Sequence, residues 1–538
     1  MPLNGVLLLV GVVILACILA HRFTEKLPIP TLLVFIGLGM LFGENGLFRI
    51  RFNDYSLAEM VCSVCLIFIM YYGGFGTNWR AARPVAVQSM LLSTLGVLLT
   101  AGLTGLFIRL ALHLPWLESL LIGSVIASTD AASVFNILRT RNLNLRFNTA
   151  SLLELESGSN DPMSYMLTVV LVTLMTGGDI SVPLVLIKQL AFGILFGVCV
   201  GYAAAVLLRR THATMAQGDT IFVFASALIA YALPSLLGGN GYLSVYLCGI
   251  LMGNAPIPQK RDLVRFFDAL TGIAQMMIFF LLGLLVTPAQ LPRVFVPALC
   301  ILVFLTLVGR PLAVAAILAP FRARAGQIGL VAWAGLRGAA SIVFAIYAVL
   351  HNAPLTYNLF DLVFCIVLLS MGIQGTLLPR MASRFSMIDD TADVRRTFND
   401  YQEENDICFI KLHLDESHPW AGKLLREIVT PPDFLVSLII RQGEGVLVPS
   451  GSTRMLAGDL LVIAAREFEN RTSLTLREVS IDASHRLCGK QLRDAPPAPG
   501  SLVVLVQRDG QTIIPSGDTS VQAGDTLVVA HFCNRFFR

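Results

Sequence analysis

Long apolar runs alternate with short polar segments over the first 381 residues of the chain. A helix that crosses a bilayer needs about 20 consecutive, mainly apolar residues. Runs that approach or exceed this length lie at residues 4–20, 29–44, 57–75, 86–112, 115–137, 154–176, 183–207, 219–237, 241–255, 265–287, 294–319, 325–350 and 358–381. The pattern predicts an all-α polytopic membrane domain over residues 1–381, with about thirteen spans in the lipid bilayer.

The pattern changes after residue 381. Residues 382–400 form a polar linker, and beyond it β-branched runs are separated by Gly-rich turns, which is typical of short β-hairpins. Two parts of this tail match each other: Val448-Pro449-Ser450-Gly451 matches Ile514-Pro515-Ser516-Gly517, and Ala457-Gly458-Asp459 matches Ala523-Gly524-Asp525. The tail is therefore predicted to be an α+β domain made of two repeats, residues 401–470 and 471–538.

The distribution of charge supports this division. The first 385 residues contain 23 Lys and Arg and 14 Asp and Glu, whereas the remaining 153 contain 16 and 21. Only 14% of the whole chain is charged and 55% is hydrophobic, which argues against a wholly soluble enzyme. The slightly acidic tail lacks the clustered basic surface of nucleic-acid-binding proteins, so no nucleic-acid partner is expected.

The loop charges predict an orientation. Fourteen Lys and Arg residues fall in one alternating set of loops and five in the other. By the positive-inside rule, the richer set faces the cytoplasm. This places the N-terminus outside and the tail in the cytoplasm.

The predicted spans divide into two halves of opposite direction. Span one runs inwards and span eight runs outwards, so six spans, a linker span and six more would form inverted repeats. In transporters with inverted repeats the substrate site lies near the bilayer midplane, at broken helices in corresponding positions. The fifth and twelfth spans both carry polar or Gly-rich interruptions, at residues 127–133 and 335–341. The symmetry predicts a site between these two breaks.

The sixth span contains the strongest set of candidate site residues. Ser157 and Asp161 are four residues apart, on one face of a helix, and Asn160 precedes Asp161. Carboxylate, hydroxyl and backbone oxygens suit a dehydrated monovalent cation. Thr129 and Asp130, in the first break, can add further oxygens.

Asp161 has a second possible use. A carboxyl group removed from water holds a proton more readily, so one buried aspartate can bind either a proton or a cation. A single such carboxyl group beside the neutral Asn160 predicts an electroneutral exchange of one proton for one monovalent cation.

Two arginines in predicted spans need partners, because a buried guanidinium must be paired. Arg337 is expected to pair with Glu156 or Glu154 and to hold the two breaks together. Arg310 is interpreted as a structural charge that pairs with a carboxylate. Asp361, near the start of the last span, is interpreted as a solvated helix-end residue.

These motifs together resemble the bacterial NhaP-type cation/proton antiporters. The resemblance covers residues 1–381 and rests on Thr-Asp in a broken fifth span, Glu-Ser-x-x-Asn-Asp in the sixth and an arginine in a Gly-rich twelfth span. It implies a thirteen-span homodimer of the inner membrane, with Asp161 as the proton- and cation-binding residue. It further implies Thr129, Glu156 and Ser157 as cation ligands, Asn160 and Asp130 as supporting residues, and an ion-pair role for Arg337. The chain departs from the pattern at Ala131, where the family often has proline.

The tail resembles the C-terminal subdomain of RCK (TrkA-C) regulators of potassium transport. That resemblance implies a dimerising module that senses a small, nucleotide-like ligand, although the tail could also serve dimerisation alone. No glycine-rich dinucleotide fingerprint precedes it, and no cofactor is predicted.

The expected function is secondary active exchange of cytoplasmic K⁺ for external H⁺, tuned by the tail. A Na⁺(Li⁺)/H⁺ antiporter is the alternative. A cation channel gated by the tail is more distant, because no carbonyl-lined filter sequence such as Thr-Val-Gly-Tyr-Gly occurs in the chain. No catalytic residues are predicted, and the chain is not expected to be an enzyme.

Overall fold

The computed structural model describes most of the chain in two compact units. The described residues are 3–24, 30–44, 46–50, 52–140, 143, 145–177, 181–210, 218–257, 260–388, 407–414, 418, 420–428, 434–441, 445–466, 474–482, 485–494, 501–508, 511–513 and 515–532. The first unit is Met1–Glu403 and the second is Glu404–Arg538. The linker predicted at 382–400 lies outside the described residues from 389 onwards.

The first unit is built from helices. They are α1 (Leu3–Thr24), α2 (Thr31–Phe42), α3 (Tyr55–Gly76), α4 (Trp79–Ala82), α5 (Ala86–Leu91), α6 (Val97–Leu112), α7 (Trp116–Val125), α8 (Ala131–Thr140), α9 (Thr149–Met175), α10 (Val182–Arg210), α11 (Gly218–Leu236), α12 (Gly241–Asn254), α13 (Lys260–Leu285), α14 (Leu291–Phe304), α15 (Arg310–Leu318), α16 (Ala325–Trp333), α17 (Ala339–Leu350), α18 (Leu359–Leu369) and α19 (Thr376–Arg384). Short 3₁₀ turns occur at Arg83–Val85 and Ala319–Phe321. Wider π-helical turns at Leu92–Gly96, Leu305–Gly309 and Ser370–Gly375 join α5 to α6, α14 to α15 and α18 to α19.

The number of membrane spans is only partly settled by helix length. Within the described residues, seven helical stretches are long and apolar enough to cross a membrane, and four shorter apolar helices accompany them. The shorter ones are Gly11–Ala20, Thr31–Phe42, Trp116–Val125 and Ala339–Leu350. The last two belong to the spans predicted to be broken, so their shortness is expected. The multi-spanning helical architecture is confirmed, and the count of thirteen stays a prediction.

The helices of this unit pack as two groups. α1–α3 and α10–α13 contact one another and form what we call the panel, whereas α4–α9 and α14–α19 form what we call the bundle. Within the panel, α3 and α12 approach closely through glycines: a side chain at Gly74 or Gly249 would run into the backbone of the facing helix. Small residues permit such close helix contact in membranes. The panel meets the bundle where α3 and α12 contact α9 and α17.

The second unit contains two four-stranded antiparallel sheets. The strands are β1 (Ile407–His413), β2 (Phe434–Arg441), β3 (Gly445–Leu447), β4 (Leu460–Arg466), β5 (Leu474–Ser480), β6 (Ser501–Arg508), β7 (Gln511–Ile513) and β8 (Thr526–Phe532). Their orders are β1-β4-β2-β3 and β5-β8-β6-β7, so the second sheet repeats the topology of the first. The register shifts at Val436/Leu438 in one sheet and at Val503/Leu505 in the other. The described elements of this unit are these strands and one 3₁₀ turn at Leu425–Glu427, and the helices of an α+β fold are not among them.

Candidate functional site

The predicted break in the fifth span is present. α7 ends at Val125 and α8 begins at Ala131. The side chain of Asp130 caps α8, because its Oδ1 accepts a hydrogen bond from the Ser133 backbone N–H at 3.2 Å and its Oδ2 accepts one from the Ser133 hydroxyl at 2.5 Å. Such a cap supplies an acceptor to an N–H that has no partner within the helix. The helix can therefore begin here although alanine, not proline, follows Asp130.

The predicted break in the twelfth span is also present and touches the first. α16 ends at Trp333 and α17 begins at Ala339. The backbone N–H of Asp130 donates to the Leu336 carbonyl at 2.8 Å, and Nη1 of Arg337 donates to the Ser128 carbonyl at 2.9 Å. A Cβ at position 338 would lie 2.7 Å from Oδ2 of Asp130, so this close approach requires Gly338.

The crossing places helix ends of positive and of negative partial charge inside the first unit, which we call the membrane unit. α8 and α17 begin at the breaks, and helix N-termini carry partial positive charge, whereas α7 and α16 end there with partial negative charge. The carboxylate of Asp130 lies at the N-terminus of α8 and beside Gly338, at the start of α17. The guanidinium of Arg337 contacts a carbonyl just after α7. The two charged side chains thus offset the helix ends that cross.

α9 brings three of the predicted residues to the first break. The Ser128 hydroxyl donates to Oδ1 of Asp161. The Asn160 amide donates to the Thr129 hydroxyl oxygen at 2.5 Å, and the Ser157 hydroxyl donates to the Thr129 carbonyl at 2.6 Å. All five side chains are buried. Carboxylate, hydroxyl and carbonyl oxygens therefore converge on one place, and their role in binding an ion stays a prediction.

The ion pair differs from the predicted one. Nη2 of Arg310 lies 2.9 Å from both carboxylate oxygens of Glu156, and the two side chains are only 2% and 1% exposed. The described hydrogen bonds of Arg337 reach Ser128 and Ser370 rather than a carboxylate. The prediction that Arg337 pairs with Glu156 or Glu154 is therefore wrong, and the interpretation of Arg310 as a structural charge paired with a carboxylate is confirmed.

A cavity of about 520 Å³ reaches Asp161 from one side of the unit. Thr129, Ser157 and Asp161 belong to its wall, together with Ser128, Asp130 and Glu154. The panel contributes Asp268, whose Oδ1 accepts a hydrogen bond from the Tyr72 hydroxyl at 3.2 Å. The lining includes Gly76, at the end of α3, and Asp268, in the first third of α13, so the cavity extends towards the face where α3 ends and α13 begins.

The two glutamates of α9 lie on different sides of the helix from those that the expected roles required. Glu154 lines the cavity, whereas Glu156 is held by Arg310 away from the described lining. Residues two apart on a helix point about 200° away from each other, so one of the two faces the cavity and the other faces the bundle. The paired Glu156 is a poor candidate for the cation ligand that the resemblance implied.

Several polar residues of the site were not singled out from the sequence. Ser128 contacts Asp161, Ser133 contacts Asp130, and the Ser370 hydroxyl accepts from the Arg337 backbone N–H at 3.1 Å. Ser128 and Ser133 belong to the polar run that predicted the break, so a signal existed for them. Nothing in the sequence pairs Ser370 with the twelfth span. Asp361 is only 3% exposed, so its interpretation as a solvated helix-end residue is wrong.

Comparison with known families and proteins gives a consistent result. The family model described as "Sodium/hydrogen exchanger, transmembrane" matches residues 10–384, and the TrkA-C domain model matches residues 411–467 and 476–530. The K(+)/H(+) antiporter NhaP2 of Shewanella sp. (strain ANA-3) is 33% identical over 474 residues, covering 86% of this chain and 82% of that protein. The K(+)/H(+) antiporter NhaP of Alkalimonas amylolytica is 34% identical over 467 residues, covering 86% and 81%.

A relative and a solved structure at lower identity cover a smaller share of the chain. The Na(+)/H(+) antiporter ApNhaP of Aphanothece halophytica is 25% identical over 398 residues, covering 70% of this chain and 73% of that protein. The structure of the sodium proton antiporter MjNhaP1 from Methanocaldococcus jannaschii has a TM-score of 0.64 at 22% identity and covers 72% of this chain and 99% of its own. The last comparison shows a common fold.

The fold and the crossed breaks define a transporter with a buried site reached from a cavity. The chain belongs to the transmembrane sodium/hydrogen exchanger family, and two TrkA-C segments follow its membrane unit. The resemblances to NhaP-type antiporters and to the TrkA-C subdomain are both confirmed.

Proposed function

We propose that this protein exchanges a cytoplasmic monovalent cation, preferentially K⁺, for an external proton at Asp161. The observation that carries the proposal is the position of Asp161: it is buried at the crossed breaks, lies on the cavity wall and accepts a hydrogen bond from Ser128. Its carboxylate can hold a proton or, when deprotonated, a cation. Competition between the two ions for one group couples their movements in opposite directions.

The oxygens around Asp161 suit a monovalent cation. The Thr129 and Ser157 side chains lie on the same cavity wall, and both hydroxyl oxygens can accept as well as donate. Pro162 has no N–H to donate to the Gly158 carbonyl, and Gly158 also lines the cavity. Asp130 and Asn160 support this set by holding α8 and Thr129 in place.

The neighbouring charges support a one-for-one exchange. Glu156 is neutralised by Arg310, and Asp130 is engaged by the start of α8 and by Ser133. Asn160, next to Asp161, is neutral at every pH of interest. Asp161 is then the group that changes its protonation during the cycle, and the exchange is electroneutral.

The preference for K⁺ rests on the relatives and on the tail. Relatives that cover most of this chain are named K(+)/H(+) antiporters, and TrkA-C modules accompany potassium transport systems. Na⁺(Li⁺)/H⁺ exchange is the alternative, since the more distant ApNhaP is named a Na(+)/H(+) antiporter. We place the protein in the bacterial inner membrane as a homodimer, with the N-terminus outside and the tail cytoplasmic, where it tunes transport on binding a small ligand.

Everted membrane vesicles with a respiration-driven proton gradient test the exchange. K⁺, Na⁺ or Li⁺ is added separately, and collapse of the gradient is followed with a pH-sensitive dye, with and without a clamped membrane potential. We expect collapse with K⁺, weaker collapse with Na⁺ and no effect of the clamp.

Two variants make the test specific. Asp161→Asn should abolish the response to all three ions, because the amide cannot exchange a proton. Asp262→Asn removes an exposed carboxylate at the start of α13 and should respond like the wild type. A response that survived in Asp161→Asn would show that the transported ions bind elsewhere.

A further inference from the structure

A cluster of tyrosines lies beyond Asp161, on the side away from the cavity. Tyr165 follows Asp161 by four residues on α9, which places it on the same helix face, one turn further along. Its ring contacts those of Tyr242 at 5.1 Å and Tyr347 at 5.8 Å between centroids, and Tyr242 contacts Tyr231 at 5.1 Å. The described wall of the cavity does not include these four residues. We call these four residues the tyrosine cluster.

The tyrosine cluster continues into a carboxylate. The Tyr242 side chain interacts with the side chains of Tyr231 and Ser63, and the Ser63 hydroxyl donates to Oε1 of Glu59 at 3.1 Å. The tyrosine cluster is therefore joined through Ser63 to Glu59, four residues after the start of α3.

Glu59 is an unusual residue for this position. It is partly buried in a membrane-spanning helix, and in the described part of the chain its hydrogen bond comes from Ser63, with no ion pair to a lysine or arginine. A carboxylate in a membrane span is expensive and marks ion pathways more often than it stabilises the fold. A barrier meant only to exclude ions would be apolar, whereas this one combines a carboxylate with hydroxyl groups.

The tyrosine cluster lies where the two helix groups meet. Tyr231 and Tyr242 belong to the panel, as does Glu59, whereas Tyr165 and Tyr347 belong to the bundle, which also carries Asp161. Movement of the bundle against the panel would separate the tyrosines of one group from those of the other. Glu59 would then line the path that opens.

We propose that Glu59, with the hydroxyls of Tyr242 and Ser63, forms a transient monovalent-cation site on the far side of Asp161, closed off here by the tyrosine cluster. This inference rests on the proposed cation/proton exchange and adds to it the path to the outer face. Carboxylate and hydroxyl oxygens are hard ligands that suit K⁺ or Na⁺, and the aromatic faces attract a cation as it passes. Glu59 raises the local cation concentration at the outer mouth and shortens the time that the cation needs to reach Asp161.

The test compares the two faces of the membrane. Right-side-out and everted vesicles are prepared from cells that lack other cation/proton antiporters, and the apparent KM for K⁺ is measured from each face. For Glu59→Gln, we expect the ratio of the outer KM to the inner KM to rise about fivefold over that of the wild type, the effect of losing one favourable charge interaction. A purely structural role of Glu59 would change the KM values at both faces together and leave the ratio as it was.

Asp54→Asn is the matched control. Asp54 caps the same helix by accepting from the Leu57 N–H at 2.9 Å, and it is exposed. Asparagine caps a helix about as well as aspartate, so this variant removes one carboxylate from the same end of α3 without touching the tyrosine cluster. We expect its ratio to equal that of the wild type, and a rise equal to that of Glu59→Gln would overturn the proposal in favour of a general surface-charge effect.

Two further results decide the remaining cases. Tyr242→Phe keeps the ring and removes the hydroxyl, so the ratio should rise in the same direction, about twofold, and this variant serves if Glu59→Gln does not reach the membrane. An unchanged ratio in a well-expressed Glu59→Gln or Tyr242→Phe protein would overturn the outer site and leave the exchange at Asp161 standing. If the wild-type protein showed no cation-dependent proton movement with any cation at either face, both the exchange and the outer site would be overturned.

Discussion

The tail contains two sheets of the same topology and the membrane unit contains two interrupted spans, and the charges in these two pairs are arranged differently. In the tail, Arg441 forms a two-point contact with Asp459, and Arg508 forms the same contact with Asp525, with N···O distances of 2.7–2.9 Å. In the membrane unit, one break carries Asp130 and the other carries Arg337. The two copies in the tail share one kind of ion pair, whereas the two breaks carry opposite charges.

The difference follows from the contacts that the members of each pair make. Each sheet of the tail needs the same link between its second strand and the turn before its fourth, so the same ion pair serves both copies. The two breaks cross each other, and two like charges at their contact would repel in a medium where little water screens them. An acidic residue in one break and a basic residue in the other avoid this repulsion where the two breaks meet. The acidic residues that remain on α9 then face the cavity or their own partner.

Making the two breaks alike should have the largest effect. Asp130→Arg places a second guanidinium beside Gly338 and removes the acceptor that Ser133 uses, so we expect cation-dependent proton movement in everted vesicles to fall about 100-fold or more, equivalent to about 3 kcal/mol. Asp130→Asn keeps an acceptor for the cap and loses only the charge, and should retain about a tenth of the activity. Normal activity in Asp130→Arg would show that the crossing does not depend on opposite charges.

Breaking the buried pair should have the next largest effect, on stability rather than on ion binding. Arg310→Ala leaves Glu156 charged and unpaired in the bundle, which costs about 3–5 kcal/mol. Titration of the purified protein with SDS in mixed micelles unfolds it and measures this loss of unfolding free energy.

The double replacement Glu156→Gln with Arg310→Met is the control for that measurement. It removes both charges and should destabilise the protein less than Arg310→Ala alone, because no buried charge is left without a partner. If the double variant were less stable than Arg310→Ala, the intact ion pair would contribute more to the free energy of unfolding than the unpaired charge of Glu156 costs.

In the tail, equal small effects are expected from the two copies. Arg441→Ala and Arg508→Ala each remove charge-assisted hydrogen bonds to a buried aspartate, at a cost of about 2 kcal/mol per site. Hydrogen exchange of the adjoining strands β4 and β8 in the full chain measures the loss. Arg493→Ala breaks an ion pair whose side chains are 60% and 72% exposed and should change exchange very little.

The same pairs make the tail sensitive to acid. The hydrogen bonds from Arg441 hold the pKa of Asp459 below its usual range, and those from Arg508 lower the pKa of Asp525 in the same way. Because the folded-state pKa is lowered, the stabilisation is complete above the unfolded-state value of about 4 and is lost as the pH falls through the folded-state value. After correction for the intrinsic pH dependence of amide exchange, the protection of β4 and β8 should therefore be steady from pH 7 to about 5 and fall only in stronger acid. Unequal responses of the two copies would contradict their equivalence.

Patterns along the chain predicted the elements better than the contacts between them. The breaks could be predicted because Ser128, Thr129 and Asp130 interrupt an apolar run, and the gathering of Asp161 with Thr129 followed from their common depth in the membrane. The partner of Glu156 could not be predicted from the sequence, because the choice between Arg310 and Arg337 depends on how two distant spans are rotated about their axes. The π-helical turn that ends at Gly309 sets that rotation immediately before Arg310, and no sequence signal announced it.

The hydrogen bonds between the two breaks have a consequence for the energetics of the transport cycle. The hydrogen bonds from the Asp130 N–H to Leu336 and from Arg337 to Ser128 tie the two interrupted spans together, so the groups around Asp161 would move as one body in the proposed transport cycle. Such a rigid body would present the same set of oxygen atoms around Asp161 to either side of the membrane. In the exchange proposed for Asp161, the intrinsic dissociation constant for the cation would then be equal on both sides, and any difference in apparent affinity between the two faces would come from the paths that lead to the site.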